Sequence, residues 1–140
     1  MKIKFKKLTP KALTPEYKTE GSAGLDLYSV ETVTIPPHRT ALIKTGIAIE
    51  LPDGYEMQIR GRSGLSLKSN YICKTGTVDS DYRGEIGVII HNLSDEDLVL
   101  DEHTRIAQGI INKIEHVELE EAESLSTTLR NTNGFGSTGL

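Results

Sequence analysis

Five short polar clusters interrupt the apolar strands, and their chemistry is complementary: some side chains suit phosphate, others a base or a metal anchor. They are Ser22-Ala23-Gly24-Leu25-Asp26-Leu27, Gly61-Arg62-Ser63-Gly64-Leu65, Gly76 through Glu85, Arg105-Ile106-Ala107-Gln108, and Arg130 followed by Gly134 to Gly139. Arginine beside serine and glycine offers a cation, a hydroxyl and closely approaching backbone amides, which phosphate oxygens need. Gln108 adds a neutral donor, and Arg130 with Ser137 and Thr138 adds more. The carboxylates Asp26, Asp79 and Asp81 supply a base and an anchor for magnesium. Taken singly, each cluster also has a plain structural use, because turns are made of these residues. Asp26 could satisfy turn amides, Arg62-Ser63-Gly64 could form an ordinary turn, and Arg105 could pair with Glu102 or Asp101.

Other patterns fail on chemistry. Gly134-Phe135-Gly136-Ser137-Thr138-Gly139 spells a dinucleotide fingerprint, but that motif needs a strand before it and a helix after it, and only Leu140 follows. Asp79 to Gly84 begins like a calcium loop, yet Arg83 stands at its fifth position and Ile90 where a bidentate Glu is required. His38, His91, His103 and His116 lack paired metal-ligand spacing and Cys73 has no thiol partner, so a zinc site is not expected. Ser63 lacks the strand-turn-helix context of a hydrolase nucleophile.

The elements that must position these clusters read as strands. Ile3 and Phe5 alternate with lysines, Val33 and Ile35 precede Pro36-Pro37, and Ile47, Ile49 and Leu51 alternate with Ala48 and Glu50. Tyr55, Met57 and Ile59 do the same, and a period of two marks half-buried strands. Glu85 to His91 is apolar on both faces, as in a strand covered on two sides, and Ile106, Ile110 and Ile114 mark another. Pro52-Asp53-Gly54 and Asn92-Leu93-Ser94-Asp95 punctuate them as turns. The only helical candidate is a short turn around Val117 to Leu125. Many short strands with frequent turns predict an all-β barrel or jelly-roll-like sandwich. The stretch from Ser124 to Leu140, rich in Ser, Thr, Asn and Gly, has the composition of a flexible tail.

The chain of 140 residues suits one domain, with 36% hydrophobic residues, no Trp and two Phe. So lean a core suits a β-protein that completes its burial, and its pocket, by association with other copies. A net charge of −4 argues against a nucleic-acid or anionic-membrane surface, so positive charge for a phosphate ligand must be local. The single Cys73 fits a reducing compartment, and neither a signal peptide nor a membrane span is apparent; a cytoplasmic location is expected.

In order and spacing, the five clusters resemble the five motifs of the trimeric dUTPase family, across Ala23 to Gly139. The resemblance rests on Ala-Gly-Leu-Asp-Leu, Arg-Ser-Gly-Leu, Val-Asp-Ser-Asp-Tyr-Arg-Gly-Glu, Arg-Ile-Ala-Gln and Gly-Phe-Gly-Ser-Thr-Gly. It implies a distorted jelly-roll subunit over residues 1–123, an arm over 124–140 that closes over a neighbouring site, and a homotrimer with shared sites. The implied reaction is hydrolysis of dUTP to dUMP and pyrophosphate with Mg2+.

By the same resemblance, Asp79 aligns with the general base and Tyr82 with the ring that packs on deoxyribose. Gly76, Thr77 and Val78 align with the hairpin whose backbone reads uracil. Arg62, Ser63, Gly64 and Gln108 align with phosphate-binding positions, and Asp26 with a carboxylate near the metal, reached through water. Arg130, Phe135, Gly136, Ser137 and Thr138 align with the closing arm. Asn131 and Asn133 stand where glycine is common, and Asn is expected to tolerate left-handed backbone there. Gly109 replaces a larger apolar residue, which would loosen local packing, and Thr77 an aliphatic one at a position that contributes backbone. The competing readings are a dCTP deaminase-like enzyme, which would need a further acid at the base, and a non-catalytic nucleotide-binding regulator, which would be expected to lack Asp79 or Phe135.

Overall fold

A computed structural model describes residues 1–68 and 70–134. The alternating segments become strands: β1 (Lys4–Lys7), β2 (Leu25–Tyr28), β3 (Val33–Ile35), β4 (Thr40–Glu50), β5 (Tyr55–Arg60), β6 (Tyr71–Cys73), β7 (Gly76–Val78), β8 (Glu85–Asn92), β9 (Leu98–Leu100) and β10 (Arg105–Lys113). They form two four-stranded sheets, ordered β1-β4-β8-β6 and β2-β10-β5-β7, and a two-stranded ribbon of β3 and β9. All pairings are antiparallel. Ile43, Ile47, Ile86, Val88 and Ile90 from the first sheet share one core with Leu27, Met57, Ile59 and Ile106 from the second. The predicted all-β sandwich is therefore present.

Three local expectations change. Outward from its buried Ile86, Val88 and Ile90, β8 leaves Ile89 exposed beside exposed Leu42, its register partner on β4. The described residues thus cover only one face of a strand that is apolar on both. β1, expected half-buried, is exposed throughout and keeps Phe5 at the surface, because it is a sheet edge over an open apolar groove. The helix lies at α1 (Ser63–Lys68), and residues 117–125 carry none. There Val117 and Leu119 are exposed among Glu118, Glu120 and Glu121, so no packed face stabilises a helical nucleus.

Two polar networks fix the ends of β8. In β4 a bulge falls between Lys44 and Ala48, where Gly46 adopts φ +68°. The Gly46 N–H donates to Glu85 Oε1 at 2.8 Å, and buried Thr45 Oγ1 donates to the Ile86 carbonyl at 2.7 Å. Together these fix the start of β8, where the loop from Asp79 arrives. At the other end of β8, fully buried Asn92 reaches the carbonyls of Ile35 and Glu96 through Nδ2 and accepts from Ser94 through Oδ1.

Candidate active site

The sheet β2-β10-β5-β7 carries most of the predicted residues. Its register sets Asp26 opposite Gln108, and Gln108 opposite Arg60, so the first, second and fourth clusters meet on one row. Asp26 is buried and grips two guanidiniums: Arg62 Nε lies 3.2 Å from Oδ1, and Arg105 Nη1 lies 3.3 Å from Oδ2. Arg105 therefore pairs with neither Glu102 nor Asp101 but with a carboxylate far away in sequence, on the adjacent strand two residues before its own register partner Tyr28. Arg62 Nη1 also donates to the Arg105 carbonyl at 3.4 Å.

Gln108 Nε2 donates to the Gly61 carbonyl at 3.0 Å, which ties β10 to the turn before α1. A Cβ on Gly24 would stand 2.5 Å from Gln108 Oε1, so only glycine lets that side chain lie there. Asp26, Arg62, Ser63, Gly64, Arg105 and Gln108 line one hollow of ≈ 290 Å³. It is polar, with two fixed cations and a hydroxyl, a lining suited to an anion.

A second hollow, of ≈ 280 Å³, lies where β7 meets β8 and holds Gly76, Thr77, Val78, Asp79 and Tyr82. Leu42, Ile59 and Ile86 give it an apolar wall beside the backbone of β7. Asp79 is exposed, and its carbonyl accepts from the Tyr82 N–H at 3.2 Å, closing a turn. Arg83 Nη1 donates to the carbonyls of Ser80 and Tyr82, at 2.6 and 2.9 Å, so a guanidinium staples the loop that resembles a calcium site. Tyr82 Oη donates to the Glu85 carbonyl at 3.0 Å, and its ring lies so close over Gly84 that a Cβ there would clash at 2.3 Å.

The two hollows share no residue. Strand order and register put Gln108 and Asp79 on the order of 15 Å apart across and along the sheet. One chain thus presents a polar, cationic hollow and, separately, a slot with an apolar wall and a carboxylate. Arg130 is exposed, its Nε donates to the Asn133 carbonyl at 2.9 Å, and it lines neither hollow. Phe135, Gly136, Ser137 and Thr138 lie outside the described residues.

Cys73 and Tyr71 line neither hollow, and burial pushes both their ionisations up. Sequence reasoning missed the supporting roles of Gly24, Gly46 and Glu85; only the clash and bond geometry exposes them.

A model of the dUTPase family matches residues 11–139. The chain belongs to the dUTPase family. It is similar to a Helicobacter pylori protein named deoxyuridine 5'-triphosphate nucleotidohydrolase, at 52% identity over 100% of this chain and 98% of the relative. A Wolinella succinogenes protein of the same name is 51% identical over 99% and 95% of the two chains. Among solved structures, a mutant dUTPase of Staphylococcus bacteriophage 80alpha with dUpNHpp gives a TM-score of 0.93, at 30% identity over 99% of each chain. A mutant dUTPase from phage phi11 of S. aureus, described as revealing the coordination of a structural Mg(II) ion, gives 0.87 at 27% identity, over 91% of this chain and 100% of that one.

The departures from the usual dUTPase pattern have local explanations. Asn131 adopts φ 47°, the left-handed conformation that asparagine accepts at little cost. Gly109 does not loosen the packing: the side chain of Met57, fully buried, fills the space, and a Cβ on Gly109 would meet its sulfur at 2.7 Å. Thr77 is exposed on β7, where it pairs with Gln58 through backbone. Among the described residues, no helix is long and apolar enough to cross a membrane.

Proposed function

We propose that this protein hydrolyses dUTP to dUMP and pyrophosphate, in the cytoplasm, as a homotrimer whose sites are shared between chains. The observation that carries the proposal is the pair of half-sites: an anion cradle around Asp26, Arg62 and Gln108, and a separate slot with Asp79 and Tyr82. A nucleoside triphosphate has both an anionic and an aromatic end. Bringing half-sites of different chains together supplies both to one substrate, and the exposed apolar pair Leu42 and Ile89 gives chains a reason to associate.

In this reading the uracil enters the slot of β7, where main-chain donors and acceptors of Gly76, Thr77 and Val78 match its edge. Cytosine presents the opposite pattern, and leaving buried groups unpaired discriminates by about 10⁴-fold or more. The Tyr82 ring packs against deoxyribose and leaves no room for a ribose 2′-hydroxyl. Arg62, Ser63, Gly64 and Gln108 hold the phosphate chain.

Asp79 orients a water for in-line attack on the α-phosphorus and takes its proton. The new O–P bond forms as the bond from the α-phosphorus to the bridging oxygen breaks, and that oxygen leaves with the pyrophosphate, whose charge the arginines hold. Arg130 carries the arm, whose Phe135, Gly136, Ser137 and Thr138 cover the base and the terminal phosphate and exclude water.

Magnesium fits the cradle as an ion held mainly by phosphate oxygens. Among the described residues, no cluster of three or more His, Cys, Asp or Glu would hold it alone. Asp26 gives each oxygen to a guanidinium yet keeps lone pairs for a water, so it would hold the ion through water. When bound, the ion neutralises phosphate charge and fixes the triphosphate's shape. The activity keeps uracil out of DNA and supplies dUMP for thymidylate synthesis.

The test is incubation of the purified protein with dUTP, UTP, dCTP and dTTP plus magnesium, with product identification. Pyrophosphate and dUMP from dUTP alone support the proposal. Ammonia from dCTP would replace it with a deaminase, and absence of turnover with a binding protein.

A further inference from the structure

The anion cradle has a wall outside the five clusters. Lys18 lines the hollow that holds Asp26, Arg62 and Gln108, and also an adjoining hollow of ≈ 550 Å³ that holds Arg62, His103 and Arg105. It thus stands on the ridge between the two, beside both arginines. Its placement is built in. The Glu16 carbonyl accepts from the Asp26 N–H at 2.9 Å, so the segment bearing Lys18 is bridged to β2 at the cradle's own carboxylate. Thr19 and Ser22 exchange bonds of 2.9–3.1 Å, closing the turn that joins Lys18 to the first cluster.

The side chain is anchored as well. Glu16 Oε1 accepts from Tyr28 Oη at 2.8 Å, with Tyr28 buried on β2, and the same oxygen pairs with the Lys18 ammonium. Lys18 remains half-exposed, and an ammonium with three donors keeps one for a further bond beyond Glu16 and Tyr28. The Glu16 contact pushes its ionisation above the ordinary lysine range, which favours the charged form.

Building on the triphosphate reading of the cradle, we infer that Lys18 is a further phosphate-binding residue. It takes the distal β- and γ-phosphates of the substrate and the departing pyrophosphate, not the α-phosphate. The reason is position: Asp26, Arg62 and Gln108 fill the cradle, and Lys18 extends it on the side where the basic hollow continues. Glu16 holds the ammonium at the ridge and competes with phosphate for it.

The experiment uses the full chain and its variants Lys18→Gln, Lys18→Arg and Glu16→Gln. It measures dUTP kinetics with magnesium and inhibition by inorganic pyrophosphate and by dUMP. Lys18→Gln should raise both KM for dUTP and the pyrophosphate inhibition constant about fivefold, the loss of one half-exposed charge-assisted bond. Inhibition by dUMP, which has no distal phosphate, should be unchanged, and kcat should stay within about twofold. Lys18→Arg should restore pyrophosphate inhibition, and Glu16→Gln should strengthen it. Unchanged pyrophosphate inhibition in Lys18→Gln, or equal weakening of pyrophosphate and dUMP, overturns the role of Lys18. If the wild-type chain turns over dUTP in the same assays, that failure leaves the wider reading intact; no turnover by the wild type brings both down.

Discussion

Single side chains decide chemistry here by what their polar atoms meet. Asp79 is exposed on a turn stapled by Arg83, the accessible setting that the proposed water-activating role requires. Asp79→Asn should therefore lower kcat by about 10²–10⁴-fold while leaving binding of a non-hydrolysable dUTP analogue largely intact. Near-normal turnover would remove Asp79 from the role of base. Tyr71 and Asn92 face each other across β6 and β8 and offer the opposite lesson. Tyr71 Oη is buried without a hydrogen-bond partner among the described residues, whereas the Asn92 amide is engaged at both ends. Tyr71→Phe should leave stability unchanged or raise it by up to about 1 kcal/mol, because an unsatisfied group is removed. Asn92→Ala should cost about 2–3 kcal/mol, because several carbonyls and Ser94 lose their partner. Paired denaturant melts compare them directly, and equal losses would contradict the bonding pattern.

At the level of elements, the bulge in β4 carries the most consequence. Gly46 turns there at φ +68°, and its missing side chain leaves room for Ala12 and Thr9. Gly46→Ala puts a methyl 2.8 Å from the Ala12 Cβ and forces a left-handed conformation on an L-residue. The expected loss is about 2–4 kcal/mol in thermal or urea unfolding. A variant as stable as the parent would mean the bulge relaxes freely. The three-strand row Asp26, Gln108, Arg60 works in the same way, as a register that converts distant clusters into one cradle.

At the scale of the molecule, the described residues leave apolar surface uncovered. Leu42, Ile72 and Ile89 are exposed on neighbouring strands, and residues 115–133 lie exposed along their whole length. Light scattering is expected to give three times the chain mass. A chain truncated before Arg130 should stay folded and associated, since the removed residues add no burial among those described, but its kcat should fall on the order of 10²-fold from a mispositioned substrate. Full activity of the truncated chain would exclude the arm from the reaction.

What the sequence determined by itself was local or contiguous. Alternation in Met57 and Ile59 specifies strand, Pro52-Asp53-Gly54 specifies turn, and the motif from Asp79 to Glu85 identifies a family, because each signal lies within a few neighbouring residues. Tertiary structure alone decided that Asp26 clamps Arg62 and Arg105, that Met57 fills the place over Gly109, and that the cradle and the slot stand apart in one chain. It also decided that α1, too short to show a helical period, follows Arg62, while the acidic stretch from Val117 forms no helix. The physical reason is strand pairing. A period of two says which side of a strand faces inward but not which strand lies beside it, and the register of β2 on β10 and of β4 on β8 joins residues tens of positions apart.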